Sequence, residues 1–354
     1  MRHTNIIGSS LLWLLAATAS SSAGDGAFKE FKNWQVMCGQ TQSCSMRQFI
    51  SDNPISQFEL RRSGTPEAPV VLVVSPRESA LTEGSQPTAV TLSVDQGEAL
   101  ALDGEAVKID SLAGSISLSA DFIGGGFIDQ LKNGTTVKVK IERGEAKAEG
   151  EVGLAGAAAS LLFIDEFQKR NGHTDAMTAK GDKAPNPALP VSDILTFADF
   201  PEKMRGYFKE GAICADTEET LFDGNALAHK IDENTTIYVT PCGMGGAYNL
   251  PFAVFVDSFD MVTQMAFPVM QDGAPSAMAV GYNVGYDYET RSLSGFFKGR
   301  GIGDCGTYSQ WKLAENANGP ALILETETFR DCPEQFDENG MIDPGTWPKT
   351  WPVK

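Results

Sequence analysis

The chain has 354 residues, with 28 basic side chains against 46 acidic ones and a net charge of −18. That balance repels phosphate backbones and argues against nucleic acid; a protein of unknown kind or a small cationic ligand suits the sign better. The length supports a sizeable core and two domains.

Residues 1–23 read as a signal peptide. Arg2 supplies the positive start, Ile6 to Ala19 an apolar run too short to span a bilayer comfortably, and Ser21-Ser22-Ala23 the small residues of a cleavage site. The expected location is therefore the periplasm. No other segment reaches membrane-spanning length, so no transmembrane segment is expected in the mature chain. Cys38, Cys44, Cys214, Cys242, Cys305 and Cys332 make an even set, which in an exported chain points to three disulfides. Of the 15 pairings open to six cysteines, neighbours in sequence are the simplest: Cys38–Cys44, Cys214–Cys242 and Cys305–Cys332.

The expected first domain is 24–170. Trp34–Cys38, Gln57–Arg61, Val70–Val74, Thr88–Ser93 and Thr136–Ile141 carry strand-like patterns. Phe127–Lys132 predicts a short helix before an Asn133-Gly134 turn, and Ala157–Arg170 a longer one capped near Gly172. Residues 171–190, with Gly172, Gly181, Pro185, Pro187 and Pro190, read as a linker holding His173.

The expected second domain is 191–354. Ser192-Asp193 predicts a helix cap ahead of Ile194, Leu195 and Phe197, and Pro201 opens a second helix through Met204 and Tyr207. Strands follow at Thr236–Val239, Phe252–Val256, Thr263–Phe267, Ala277–Tyr282, Leu293–Phe297 and Ala321–Phe329. The fold class is mostly β: two β-sandwich or open-barrel-like domains with a few peripheral helices.

The densest motif is Lys298–Trp311, KGRGIGDCGTYSQW. Gly301-x-Gly303-x-x-Gly306 matches a dinucleotide fingerprint in letters, but pyrophosphate binding needs a strand before it and a helix after it. Thr307, Tyr308, Ser309 and Trp311 do not read as a helix. The stretch is better read as a tight, bulged turn pinned by a disulfide and backed by Trp311.

The chain resembles an uncharacterised bacterial envelope family known as DUF1176. The likeness runs through Phe31-Lys-Asn-Trp34 with Cys38 and Cys44, Pro241-Cys242, Gly246-Ala-Tyr248-Asn249, Gly299 to Gly306 with Trp311, and Trp347-Pro-Lys-Thr-Trp351. Residues 115–167 also resemble the invasion-associated locus B family, through Phe127 to Gly134 and Leu154-Ala-Gly156. Phe122 to Gly126 stands where many members of that family have a Cys. These resemblances imply an exported two-part protein and no particular activity.

Catalytic patterns are poorly served. No G-x-S-x-G elbow occurs, and a Ser-His-Asp arrangement would rest on His229, which reads as a surface or packing residue. No C-x-x-C occurs, and Gln335–Gly340 resembles an EF-hand turn but has Gln at its first position and Thr346 at its twelfth. No metal and no cofactor are expected. The candidate binding residues are Tyr248, Asn249, Arg300, Asp304 and Trp311, from two glycine-rich segments beside cysteines. They converge only if the second and third disulfides lie close together. The expected function is a non-catalytic envelope binding or interaction protein. The alternatives are a carboxylate-dependent hydrolase with an interdomain cleft, or a purely structural envelope component.

Overall fold

A computed structural model describes residues 26–84, 87–111, 113–118, 125–259, 261–316, 319–333 and 343–352. The expected signal peptide and the Gln335–Gly340 turn lie outside the described residues. The fold is mostly β, with several antiparallel sheets and few helices.

The first half holds two sheets. One runs β1 (Ala27–Phe31), β2 (Trp34–Cys38), β3 (Cys44–Phe49), β4 (Ile55–Arg62) and β5 (Val70–Pro76). The chain then crosses to the second sheet with β6 (Thr88–Val94) and β7 (Leu100–Leu102). It returns with β8 (Val107–Asp110) and β9 (Ser115–Leu118), which extend the first sheet beyond β5. After helix α1 (Gly125–Asn133), β10 (Thr136–Arg143) and β11 (Ala146–Gly153) complete the second sheet.

Alternation decides which residues face inward. Val90, Leu92 and Val94 of β6 and Val137, Val139 and Ile141 of β10 meet Val36, Phe58 and Leu72 in one apolar core. Helix α2 (Ala157–Phe167) buries Leu161 and Ile164 in the same core. It stops short of the expected Arg170 because Lys169 turns left-handed (φ 56°) and the Arg170 amide bonds back to the Asp165 carbonyl.

The segment expected as a linker is laid against the first half. Buried Asp165 accepts from the Met177 and Thr178 amides at 3.0 and 2.7 Å and from Arg62 at 3.3 Å. Arg170 pairs with Asp175 nearby.

The second half is layered around a sheet buried on both faces. Its strands are β12 (Val191–Asp193), β13 (Leu227–Lys230), β14 (Thr235–Pro241), β15 (Pro251–Ser258) and β16 (Met261–Met265), with helix α3 (Glu202–Arg205) between β12 and β13. The unbroken apolar run Pro251–Val256 fits a strand with no solvent side. Tyr238, Ala253 and Phe255 face Ile194, Phe200, Met204 and Phe222. Ile237, Val239 and Val254 face the opposite layer.

That layer contains a hairpin, β17 (Phe267–Gln271) and β18 (Ala274–Met278), then β19 (Gly281–Tyr282), which joins the edge of β15. A five-stranded sheet completes it: β20 (Gly285–Asp287), β21 (Ser292–Lys298), β22 (Gly306–Asn316), β23 (Gly319–Arg330) and β24 (Lys349–Trp351). The strand expected over Ala277–Tyr282 is thus split between β18 and β19.

The helix expected from Ser192 is absent. Val191–Asp193 pairs with Leu227–His229 as a strand, and the Asp193 carboxylate accepts from Thr41 (2.5 Å) and Ser43 of the first half instead of capping. The local cap is Asp199, which accepts from the Leu195 and Thr196 amides at 3.0 and 2.8 Å around a single 3-10 turn. Arg61 and Asp223, 3.2 Å apart, add a second tie between the halves.

Candidate functional site

The three disulfides join Cys38–Cys44, Cys214–Cys242 and Cys305–Cys332. The last clamps the glycine-rich turn between β21 and β22. Gly299 donates to the Cys305 carbonyl at 2.9 Å and Gly303 to the Arg300 carbonyl at 3.0 Å. Gly306 has φ 131°, and a Cβ there would fall 2.0 Å from the Phe297 carbonyl oxygen. The turn leads into the long strand β22, not a helix, so the fingerprint lacks the N-terminus that would meet pyrophosphate.

The second glycine-rich segment, 243–250, leaves β14 at Cys242 and returns as β15. Its Asn249 reaches the turn directly. The amide nitrogen donates to the Lys298 carbonyl and the amide oxygen accepts from the Lys298 N–H, both at 2.9 Å. Asn283 sits beneath at φ 47°. It donates to the carbonyls of Tyr248 (3.1 Å) and Phe296 (2.8 Å) and to the Asn249 oxygen (3.1 Å), while accepting from the Leu250 amide at 3.1 Å. These bonds bring the two segments together, and a Cβ on Gly301 would sit 3.5 Å from the Tyr248 ring.

Between segment 243–250 and the loop after Cys214 lies a pocket of about 530 Å³. Asp216, Glu218 and Leu221 line it from the loop after Cys214, and Met244, Tyr248 and Leu250 from segment 243–250. The Gly243 amide donates to Thr217 at 2.6 Å, which with the Cys214–Cys242 bridge fixes the spacing of the two walls.

Of the expected site residues, Tyr248 lines this pocket and is 40% exposed, and Asn249 lines it while holding its shape. Arg300 and Asp304 lie on the adjoining turn and bind each other at 2.7 Å through Arg300 Nε; Arg300 also donates to the Pro333 carbonyl at 3.0 Å. That pairing holds the Asp304 carboxyl below the usual carboxylate range.

Trp311 is a correction. It neither backs the turn nor joins the surface: it is 2% exposed, its Nε1 donates to the Pro268 carbonyl at 2.7 Å, and its ring meets Phe267 edge-on. Strand alternation turns it inward with Leu313, toward the core.

Asp216, Glu218, Met244 and Asn283 went unnoticed in sequence. The acids are two of many, and the role of Asn283 depends on partners distant in the chain. Its one local signal was an Asn in a Gly-Tyr-Asn-Val-Gly context, where positive φ is cheap.

His229 and the six cysteines are held in structural contacts. His229 on β13 is 4% exposed and its Nδ1 lies 2.6 Å from the Tyr286 hydroxyl. Burial, with Arg291 adding to it, pushes its pKa down to about 4, so it is neutral at pH 7. Each of the six cysteines is in a disulfide. No described helix is long and apolar enough to cross a membrane.

Among known proteins, the chain is 23% identical over 343 residues to the uncharacterized protein YpfG of Escherichia coli (strain K12), an alignment covering 92% of each chain. No solved structure matches it. The profile of a family described as a protein of unknown function matches residues 28–354, nearly everything after the expected signal peptide, and the chain belongs to that family, DUF1176.

Proposed function

We propose that the chain is an exported periplasmic protein that works by binding, without catalysis, and that the pocket around Tyr248 is its binding surface. The observation that carries this reading is the convergence of two glycine-rich segments. Asn249 and Asn283 cross-link them, and disulfides flank them on both sides. Rigid loops around an exposed aromatic suit recognition.

The hydrolase reading has less support. It asks for a cleft between the halves and a carboxyl with a raised pKa. The halves meet instead through Asp193 on Thr41 and Ser43, and through Arg61 with Asp223. Asp304 and Asp95 shift downward, each held by hydrogen bonds, first from Arg300 and from Thr135 respectively. Export rests on the amino-terminal pattern and the three disulfides. The likeness of residues 115–167 to the invasion-associated locus B family belongs to the same reading, as a proposal about the first half.

The test is comparative capture. Wild-type mature chain and a Tyr248→Ala variant are immobilised, exposed to extract of the native compartment, and the bound species identified by mass spectrometry. At least one species should be held by the wild type and lost from the variant. Identical captured sets would remove the pocket from the account.

A further inference from the structure

Resting on that reading, we infer that the pocket takes an organic cation with an apolar body, its charge set against Asp216 and Glu218 and its body against Tyr248, Met244 and Leu250. Both carboxylates are exposed on one wall, and neither side chain has a hydrogen-bond or ion-pair partner among the described residues. From segment 243–250, Met244 is 76% exposed and Tyr248 40%. Ile302, 49% exposed, follows Gly301 on the turn that meets the Tyr248 ring. An aromatic face and a thioether beside two unpaired carboxylates form a surface for a charge carried on a hydrocarbon frame. The volume lies within the roughly 300–1,000 Å³ common for small-ligand sites.

Other ligand chemistries fit worse. An anion would meet the two carboxylates. It would also find few donors in the loop, because the Gly243 amide is spent on Thr217 and the Gly246 amide on the Asn249 carbonyl. The Asn283 side-chain amide is likewise spent on Tyr248, Asn249 and Phe296. A neutral apolar body would strip water from Asp216 and Glu218 without pairing either. Of the cations beside the turn, Arg300 is bound to Asp304 and the Pro333 carbonyl, so its charge is offset there. A net charge of −18 draws cations toward the molecule from a distance.

Such a group occurs on a free amine or on a basic side chain of a peptide. Three probes separate charge, body and source: N-acetyl-Phe-Arg-amide, its citrulline analogue of like shape without the charge, and phenethylamine. Each is titrated into the mature chain, with the amide resonances of 243–250 as readout. The arginine dipeptide, phenethylamine or both should move those resonances, and the tighter of the two assigns the source. The citrulline analogue should bind about tenfold more weakly than the arginine dipeptide. An Asp216→Asn/Glu218→Gln variant should close that gap and remove the salt dependence; both positions are exposed and unpaired, so the variant keeps its fold. Equal binding of the citrulline analogue, a gap that survives the double substitution, or no shift with either cation would overturn the inference. If none of the cations binds while a captured species still depends on Tyr248, the cation assignment falls and the binding surface stands. If the Tyr248→Ala variant captures everything the wild type does, the surface itself falls.

Discussion

Trp311 and Tyr248 are both aromatic and both lie beside glycine-rich segments, yet they do opposite work. Trp311 fills a space bounded by Phe267 and by Gly295, where an added Cβ would come within 2.8 Å of the indole. Trp311→Ala should cost about 3–5 kcal/mol in urea unfolding. Tyr248→Ala should stay within about 0.5 kcal/mol while removing binding. Equal costs would mean that the two rings share one role. The difference was missed in the sequence: no strand was expected over 306–316, where Ser309, Trp311 and Leu313 share the buried side of β22. The contribution of Asn283 was not legible, because its four partners come from two segments distant in the chain, Tyr248 to Leu250 and Phe296.

His229 gives a second test at the same scale. Its folded pKa of about 4 lies below the ordinary 6.5, so between those values the unfolded chain binds the extra proton. Its contribution is full above about pH 6.5 and is lost as pH falls toward 4, by up to about 3 kcal/mol. Tyr286, Tyr288 and Arg291 surround the ring, and none offers a carboxylate to reverse that sign. A His229→Phe variant should lose the slope in that window. Asp304, whose carboxyl is depressed by Arg300, acts in the same direction but only below the ordinary carboxylate range. An unchanged slope in the variant would show that His229 does not drive the acid sensitivity.

At the scale of elements, β21, β22 and their turn form one unit with the 243–250 loop. The Gly306→Ala substitution tests the turn, because an L side chain at φ 131° would also strike the Phe297 carbonyl. A cost of about 2 kcal/mol or more is expected in thermal unfolding. Asn249→Ala removes both bonds to Lys298 and the acceptor for Asn283. It should cost about 1–3 kcal/mol and broaden the 243–250 amide resonances. A variant as stable and as sharp as wild type would mean that the loop is held by something else. The strands with a clear pattern were readable, because Thr88–Val94 and Thr136–Arg143 alternate and Pro251–Val256 is apolar throughout, whereas β3, β11 and the long β22 were not expected. The helix expected from Ser192 was not a local misreading of Ser-Asp capping chemistry. Asp193 found hydroxyl partners in the first half, and no window of sequence contains both.

For the whole molecule, oxidation and site formation are joined. Cys214–Cys242 holds the two walls of the pocket, and Cys305–Cys332 holds the turn that adjoins it. Each bridge contributes about 2–4 kcal/mol, chiefly by restricting the unfolded chain. A site built this way forms only where thiols are oxidised, and this ties the proposed binding role to the proposed export. The pairing of neighbouring cysteines was the simplest inference from their order, and it holds for all three bridges. The approach of the two glycine-rich segments beside the second and third bridges depended on Asn249 reaching Lys298, a contact between residues 49 apart. The most direct test is a thiol count on protein taken from its native compartment, denatured and alkylated without reductant. No reactive thiol is the predicted result; six would contradict the export, the clamped turns and the pocket they shape.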